Sequence, residues 1–162
     1  MKSSNLPELQ FDFYNINKFD GFKFGKLFLR THQKSLRFHA TSGLAGYQEL
    51  SSCWRRGLAA IPPCKLVSIP FYTVCTKPIP MPRNRGIEGN FYQIFPYMNL
   101  VKVSHGVYER GDFGIHQDAG SLGTAGCIGV TKGMHWQAFQ VEMQSLLVQG
   151  LSSINLSVPV KY

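Results

Sequence analysis

The chain has 162 residues, enough for one domain and not comfortably two. Its AVILMFWYC set is 44% and its aromatics are 13%, which supports a hydrophobic core and argues against a disordered chain. Charged residues are only 16%, yet 17 Lys+Arg against 9 Asp+Glu leave a net charge of +8, and 16 Gly with 9 Pro disfavour a helical bundle or coiled coil. From the N-terminus, residues 1–20 read as an extension, with loose alternation over 11–16 (FDFYNI). Residues 22–30 and 35–41 form a predicted hairpin around THQK, with Leu36, Phe38 and Ala40 on one face. TSGLAGYQELSS reads as a loop. IPPCKLVSIPFYTVC is strand-like, but Pro62, Pro63 and Pro70 confine it to edges or strand starts. Residues 77–90 are rich in Pro, Gly and basic side chains and form a long surface loop, a kind of segment that often carries function. FYQIFPYMNLVKVS supplies one or two strands, DFGIH (112–116) a short buried strand, and 117–126 a turn-rich stretch. A helix is predicted over about 134–149, where Trp136, Phe139, Met143, Leu146 and Leu147 form a stripe and Gly150 is the stop. INLSVPVKY alternates with Ile154, Leu156, Val158 and Val160 on one side, and Pro159 predicts an edge strand.

The N-terminal MKSSNLPELQFDF has no apolar run of signal-peptide length, and no segment approaches the roughly 18 apolar residues of a membrane-crossing helix. The expectation is a chain made in the cytoplasm with neither signal peptide nor membrane span. Cys53, Cys64, Cys75 and Cys127 contain no CxxC pair, which disfavours a zinc ribbon. Without a signal peptide the thiols are expected to stay reduced, with Cys53, Cys64 and Cys75 as small buried residues. His32, His39, His105 and His135 are scattered, so no metal site and no cofactor are expected.

Chemistry concentrates in ERGDFGIHQDAGSLGTAGCIGV, residues 109–130. An apolar strand delivers His116, a glycine-rich turn follows, and Cys127 stands between Gly126 and an apolar run. A thiol becomes a strong nucleophile when a nearby imidazole takes its proton. The glycines between the two residues let the chain fold back and bring them together from neighbouring strands. Acyl transfer also needs backbone N–H groups aimed at the developing oxyanion, and Gly126 with the Cys127 amide can supply them. Asp118, Ser121 and Thr124 are candidates to orient the imidazole or the substrate. Arg110 reads either as a binder of a substrate carboxylate or as a surface ion-pair partner. Gly89–Tyr92 follows the long loop and lines a possible cleft. Tyr92 is the candidate substrate contact there, and Phe91 reads as core packing. The competing reading of the whole segment is a buried structural cysteine beside a satisfied core histidine.

GIHQDAGSLGTAGCIGV resembles the catalytic segment of the L,D-transpeptidase (YkuD-type) superfamily. FGIH matches that family's apolar-Ile-His-Gly strand, with Gln117 in place of the glycine. Thr124-Ala125-Gly126-Cys127-Ile128 matches its Ser/Thr-His-Gly-Cys-apolar strand, with Ala125 in place of the histidine and Gly129 in place of an arginine that often follows. The short His-to-Cys loop resembles the divergent branch found in type VI secretion L,D-transpeptidase effectors and related phage or bacterial proteins. Thr41-Ser42-Gly43 and Ile61-Pro62-Pro63-Cys64-Lys65-Leu66 resemble two further segments of that branch, so the likeness spans about residues 22–130. It implies a mainly β sandwich or open barrel with one helix near the C-terminus, formed by a single domain over 1–162. It implies Cys127 as nucleophile, His116 as general base and Gly126–Cys127 as oxyanion hole, acting on peptidoglycan stem peptides. The outcome is either transpeptidation or carboxypeptidation. Delivery to the cell wall or periplasm would fall to a virion or a secretion machine. The alternative is a non-enzymatic structural or wall-binding component of a phage tail or similar assembly, with other subunits as partners. The basic residues are dispersed without a nucleic-acid motif, so an anionic wall polymer ranks first among their targets and nucleic acid last.

Overall fold

The computed structural model describes residues 6–14, 18, 19, 21–82, 87, 89–119 and 122–160. In chain order they form β1 (Glu8–Asp12), β2 (Lys18–Phe19), β3 (Phe22–Lys23), β4 (Gly25–Arg30), β5 (Ser35–Gly43), β6 (Tyr72–Cys75) and β7 (Ile79–Met81). There follow β8 (Gly89–Phe95), β9 (Met98–Val103), β10 (Gly106–Gly111), β11 (Gly114–Gln117), β12 (Thr124–Val130), the helix α1 (Gly133–Val148) and β13 (Ser153–Ser157). Strand outweighs helix, 45% to 16%, so the expected mainly β class with one helix near the C-terminus is what the chain adopts.

Eight strands run in the order β11-β12-β5-β4-β1-β13-β6-β8, and a β8–β11 pairing closes them into a barrel. One edge of β8 meets β11 at Tyr92 and Gln93; its other edge is shared by β6 at Ile94–Phe95 and by β7 at Gly89–Phe91. Closure satisfies backbone groups that an open sheet leaves at its edges. β9 and β10 form a separate hairpin whose last strand leads directly into β11.

The predicted hairpin is β4–β5, with Leu29 opposite Leu36 and Leu27 opposite Phe38. Its turn is pinned by Thr31, whose Oγ1 accepts from the backbone N–H groups of Gln33 and Lys34. Within residues 1–20, Glu8–Asp12 is β1, a barrel strand paired with β4 on one side and β13 on the other. The edge position of β13 is corrected. That strand lies between β1 and β6, and Pro159 stands beyond its last residue, where it removes no ladder hydrogen bond.

Alternate strand residues fill one core, in which Phe11, Leu27, Val74, Ile115, Ile128 and Leu156 are all buried. α1 contributes Trp136, Phe139, Met143 and Leu146, and Phe139 sets its ring edge-on to Phe38 and Tyr92. The helix ends as predicted. Gly150 takes φ +90°, its N–H bonds the Leu147 carbonyl, and the Leu151 N–H bonds the Leu146 carbonyl. That is a Schellman termination, which demands the left-handed conformation glycine adopts freely. No helix among the described residues is long and apolar enough to cross a membrane.

Candidate active site

β11 and β12 run side by side in parallel, with Ile115 opposite Ile128 and His116 opposite Gly129. Side chains alternate across a sheet. Ile115 and Ile128 fill the core, so His116, Cys127 and Gly129 share the outward face. The two residues thus lie on neighbouring strands that run in parallel.

β12 is distorted where it carries the thiol. Its pairing with β5 jumps from Thr124–Gly43 to Ile128–Ser42, so Ala125, Gly126 and Cys127 bulge out of that ladder. The Thr124 hydroxyl ties the bulge by donating to the Cys127 carbonyl. Thr124 thus positions the nucleophile candidate and is not among the walls of the pocket described below. Gly126 sits at φ +101°, and a Cβ there would lie 2.8 Å from Arg110 Nη2 and 2.9 Å from the Phe113 ring. Only glycine fits. A Cβ on Gly129 would lie 2.7 Å from Asp118 Cβ, so Asp118 fills the space a side chain there would need.

Cys127 is 8% exposed, and its Sγ lies 3.8 Å from the Asp112 carbonyl, to which the thiol donates. Burial pushes the thiol up to about 11; the Gly114 N–H and the Arg110 guanidinium pull the other way, and the Asp112 carboxylate adds to the rise. The resting group at neutral pH is therefore a thiol. Asp112 holds φ +58°, a left-handed value uncommon outside glycine and found often at functional sites.

His116 is 5% exposed. Its Nδ1 lies 2.8 Å from the Gln117 carbonyl oxygen. A carbonyl only accepts, so Nδ1 carries the hydrogen and Nε2 keeps the lone pair that a general base needs. Burial lowers the imidazole below its ordinary range, against opposing pulls from the Gln117 carbonyl and Asp118, and keeps it neutral. Asp118 is half-buried, raised by burial, and held by the Gly123 N–H at 3.2 Å. It acts on the imidazole through charge. Ser121 lies outside the described residues.

The thiol opens into a pocket of about 410 Å³ whose walls include Phe91, Gln93, Tyr97, Asp112 and Phe113. The Tyr97 hydroxyl donates to the Asp112 carboxylate, which raises the phenol above its usual value. Phe91 stacks on the imidazole at 6.3 Å between centroids. A Cβ on Gly114 would lie 2.1 Å from the same ring, so Phe91 packs directly on the Gly114 backbone. The hydrogen bonds of the two groups run to Gln117 and Asp112 and do not join them. Replacing Phe91 with alanine is expected to speed alkylation of Cys127 by iodoacetamide several-fold; an unchanged rate would show that the ring is no barrier.

The chain matches no family model, no curated protein and no solved structure. The site therefore rests on its own geometry.

Two sequence assignments change. Tyr92 points inward, 2% exposed, against Trp136 and Phe139, and it is Phe91 that reaches the pocket. Alternation on β8 allowed either phase, and pairing of Tyr92 with core residue Ile115 selects this one. Arg110 is 1% exposed, so it is neither a surface ion-pair partner nor open to a carboxylate. Its Nη1 donates to the Cys53 carbonyl, and its Nη2 to the carbonyls of Ala59 at 2.9 Å and Ala60 at 3.3 Å. Gln93, Tyr97 and Asp112 were missed as wall residues. Their only signal was Asp112 beside the catalytic-looking strand, since the hairpin that brings Tyr97 back is a tertiary event. Cys53 and Cys64 are buried, Cys75 is half-buried, and all four thiols are free. Among the described residues, no three His, Cys, Asp or Glu side chains come together to hold a metal.

Proposed function

We propose that the chain is a cysteine-dependent acyl-transfer enzyme of the L,D-transpeptidase type, acting on peptidoglycan stem peptides. The observation that carries this reading is a thiol at a pocket wall with, on the same face of the paired strand, a neutral imidazole whose basic nitrogen is free of its carbonyl bond. Both groups rest uncharged, so the proton moves during attack. His116 Nε2 takes the Cys127 proton as sulfur adds to the peptide carbonyl, and the bulged Gly126–Cys127 backbone faces the oxyanion. The imidazolium then protonates the leaving amine as the C–N bond breaks, leaving an acyl thioester. Water resolves it to a free carboxylate, or an amine resolves it to a new peptide bond. Phe91 touches both partners, stacking on the imidazole and lining the thiol's pocket. Gln93 offers a donor and an acceptor to a peptide backbone, and Asp112 offers a carboxylate to a stem amine. In this reading a virion or secretion machine carries the protein to the wall.

The test is incubation with muropeptides under reducing conditions, read by mass spectrometry. Loss of a terminal residue or exchange for an added amine supports the proposal, and unchanged stems overturn it. The pH dependence is a second readout. Because the imidazole is lowered, activity should persist below its ordinary value of about 6.5 and fall only as pH drops through the lowered one. The thiol's rise to about 11 removes any step near pH 8.5. Stability follows the same sign. The unfolded state takes the His116 proton first, so folding stability present above about pH 6.5 is lost as pH falls through the lowered value.

The raised thiol also favours a second reading, in which the same barrel is a structural or wall-binding component of an assembly. In that case stems stay intact and Cys127 resists iodoacetamide up to strongly alkaline pH.

A further inference from the structure

The outward face of α1 carries no charge. Its exposed positions are apolar or neutral, although the chain as a whole stands at +8. The one acidic residue of the helix, Glu142, lies on the flank and is paired with Lys34 at 2.6 Å. Three large apolar side chains stand on this face: Met134 at 75% exposure, Val141 at 66% and Val148 at 77%. They recur every seven residues along all four turns, with the small Ala138 and Ser145 between them. The neutral amides of Gln137 and Gln144 border the stripe, so the face presents an uncharged apolar seam in place of the charged surface that a solvent-facing helix carries. A seven-residue repeat is the spacing at which one helix meets another along a seam.

We propose that this face joins two copies of the chain as an antiparallel helix pair, with the two-fold axis at Val141. Charge argues for a second copy. An isologous contact sets each residue against its own counterpart, which a charged face on a basic protein would oppose and a neutral face permits. The helix ends argue for the antiparallel sense. Lys132 stands at the N-cap, the positive end of the helix dipole, and no basic residue occupies the last turn. With the axis at Val141, Lys132 of one copy falls opposite Gly150 of the other, each nine residues from the axis. The lysine then meets the partner helix's C-terminal carbonyls, the end that lacks a cation. The register also sets Met134 against Val148, so the large side chains of the two stripes meet. The opposite side of α1 packs into the barrel core, and the pocket at Cys127 takes no residue from the helix.

Analytical ultracentrifugation of the full chain over a concentration series tests the contact. The expected result is a mass rising from the 18.2 kDa of one chain to twice that value. Val141→Glu is expected to hold the mass at one chain, with unchanged circular dichroism. Under oxidant, Val141→Cys should cross-link to its own copy while Met134→Cys, distant from its counterpart, should not. A single-chain mass throughout, a dimer that survives Val141→Glu, or cross-linking of Met134→Cys as fast as Val141→Cys would each overturn the proposal.

Discussion

Cys127→Ala is expected to lower turnover of stem peptides about 10³-fold or more and to eliminate the acyl-enzyme adduct in intact-protein mass spectra. The size follows from chemistry. Alanine has no atom to form the thioester, and a pocket that merely binds substrate retains only what positioning and oxyanion contacts supply. The same substitution should leave the fold intact, because it deletes a single sulfur at the rim of a pocket. His116→Gln provides the counterpart. It keeps a polar side chain of similar reach but no basic nitrogen, and a general base contributes about 10²–10⁴-fold. The two losses should not add, since nucleophile and base act in one step. Full turnover in Cys127→Ala would end the acyl-transfer reading whatever His116 does.

Arg110→Leu is expected to be the most destabilising single change at the site, by about 3–5 kcal/mol. The guanidinium is fully buried with no carboxylate beside it among the described residues, and burial itself lowers its pKa. What it does instead is bond the carbonyls of Cys53, Ala59 and Ala60 and lie 5.3 Å over the Phe113 ring. Leucine would fill part of the volume and leave three carbonyl oxygens in the core without donors. A loss of that size corresponds to a fall in Tm of about 6–20 °C for a chain of this length. Arg110→Lys should be milder but still costly, since one ammonium cannot span carbonyls held apart to suit a planar fork. Because the Arg110 charge also pulls the Cys127 thiol down, Arg110→Leu should slow its alkylation at a given pH, while Arg110→Lys, which keeps the charge, should slow it less. Thermal melts and pH-resolved labelling check the two halves, and an unchanged melt would show that the carbonyls find other partners.

Local pattern carried much of the fold. The β4–β5 hairpin, the α1 stripe and its Gly150 stop are written in neighbouring residues, because the forces that form them act over a few positions. The roles of β1 and β13 are not. Glu8–Asp12 is too short to declare itself, and the interior place of β13 depends on a partner at the far end of the chain. The site divides the same way. His116 and Cys127 stand out by type and spacing. The Phe91–Tyr92 phase depends on which face of β8 meets β11, and Arg110 was misread because a cation bonded only to carbonyls leaves no carboxylate in the sequence to announce it.

The pairing of Leu9 with Leu156 joins residues 147 positions apart. During synthesis β1 can meet β4 almost at once, yet its other edge stays open until β13 has left the ribosome. The barrel therefore cannot close before β13 is made, and any chain lacking β13 presents the edges of both β1 and β6 to its surroundings. Such chains are marked for aggregation or removal by the same pairing that closes the barrel.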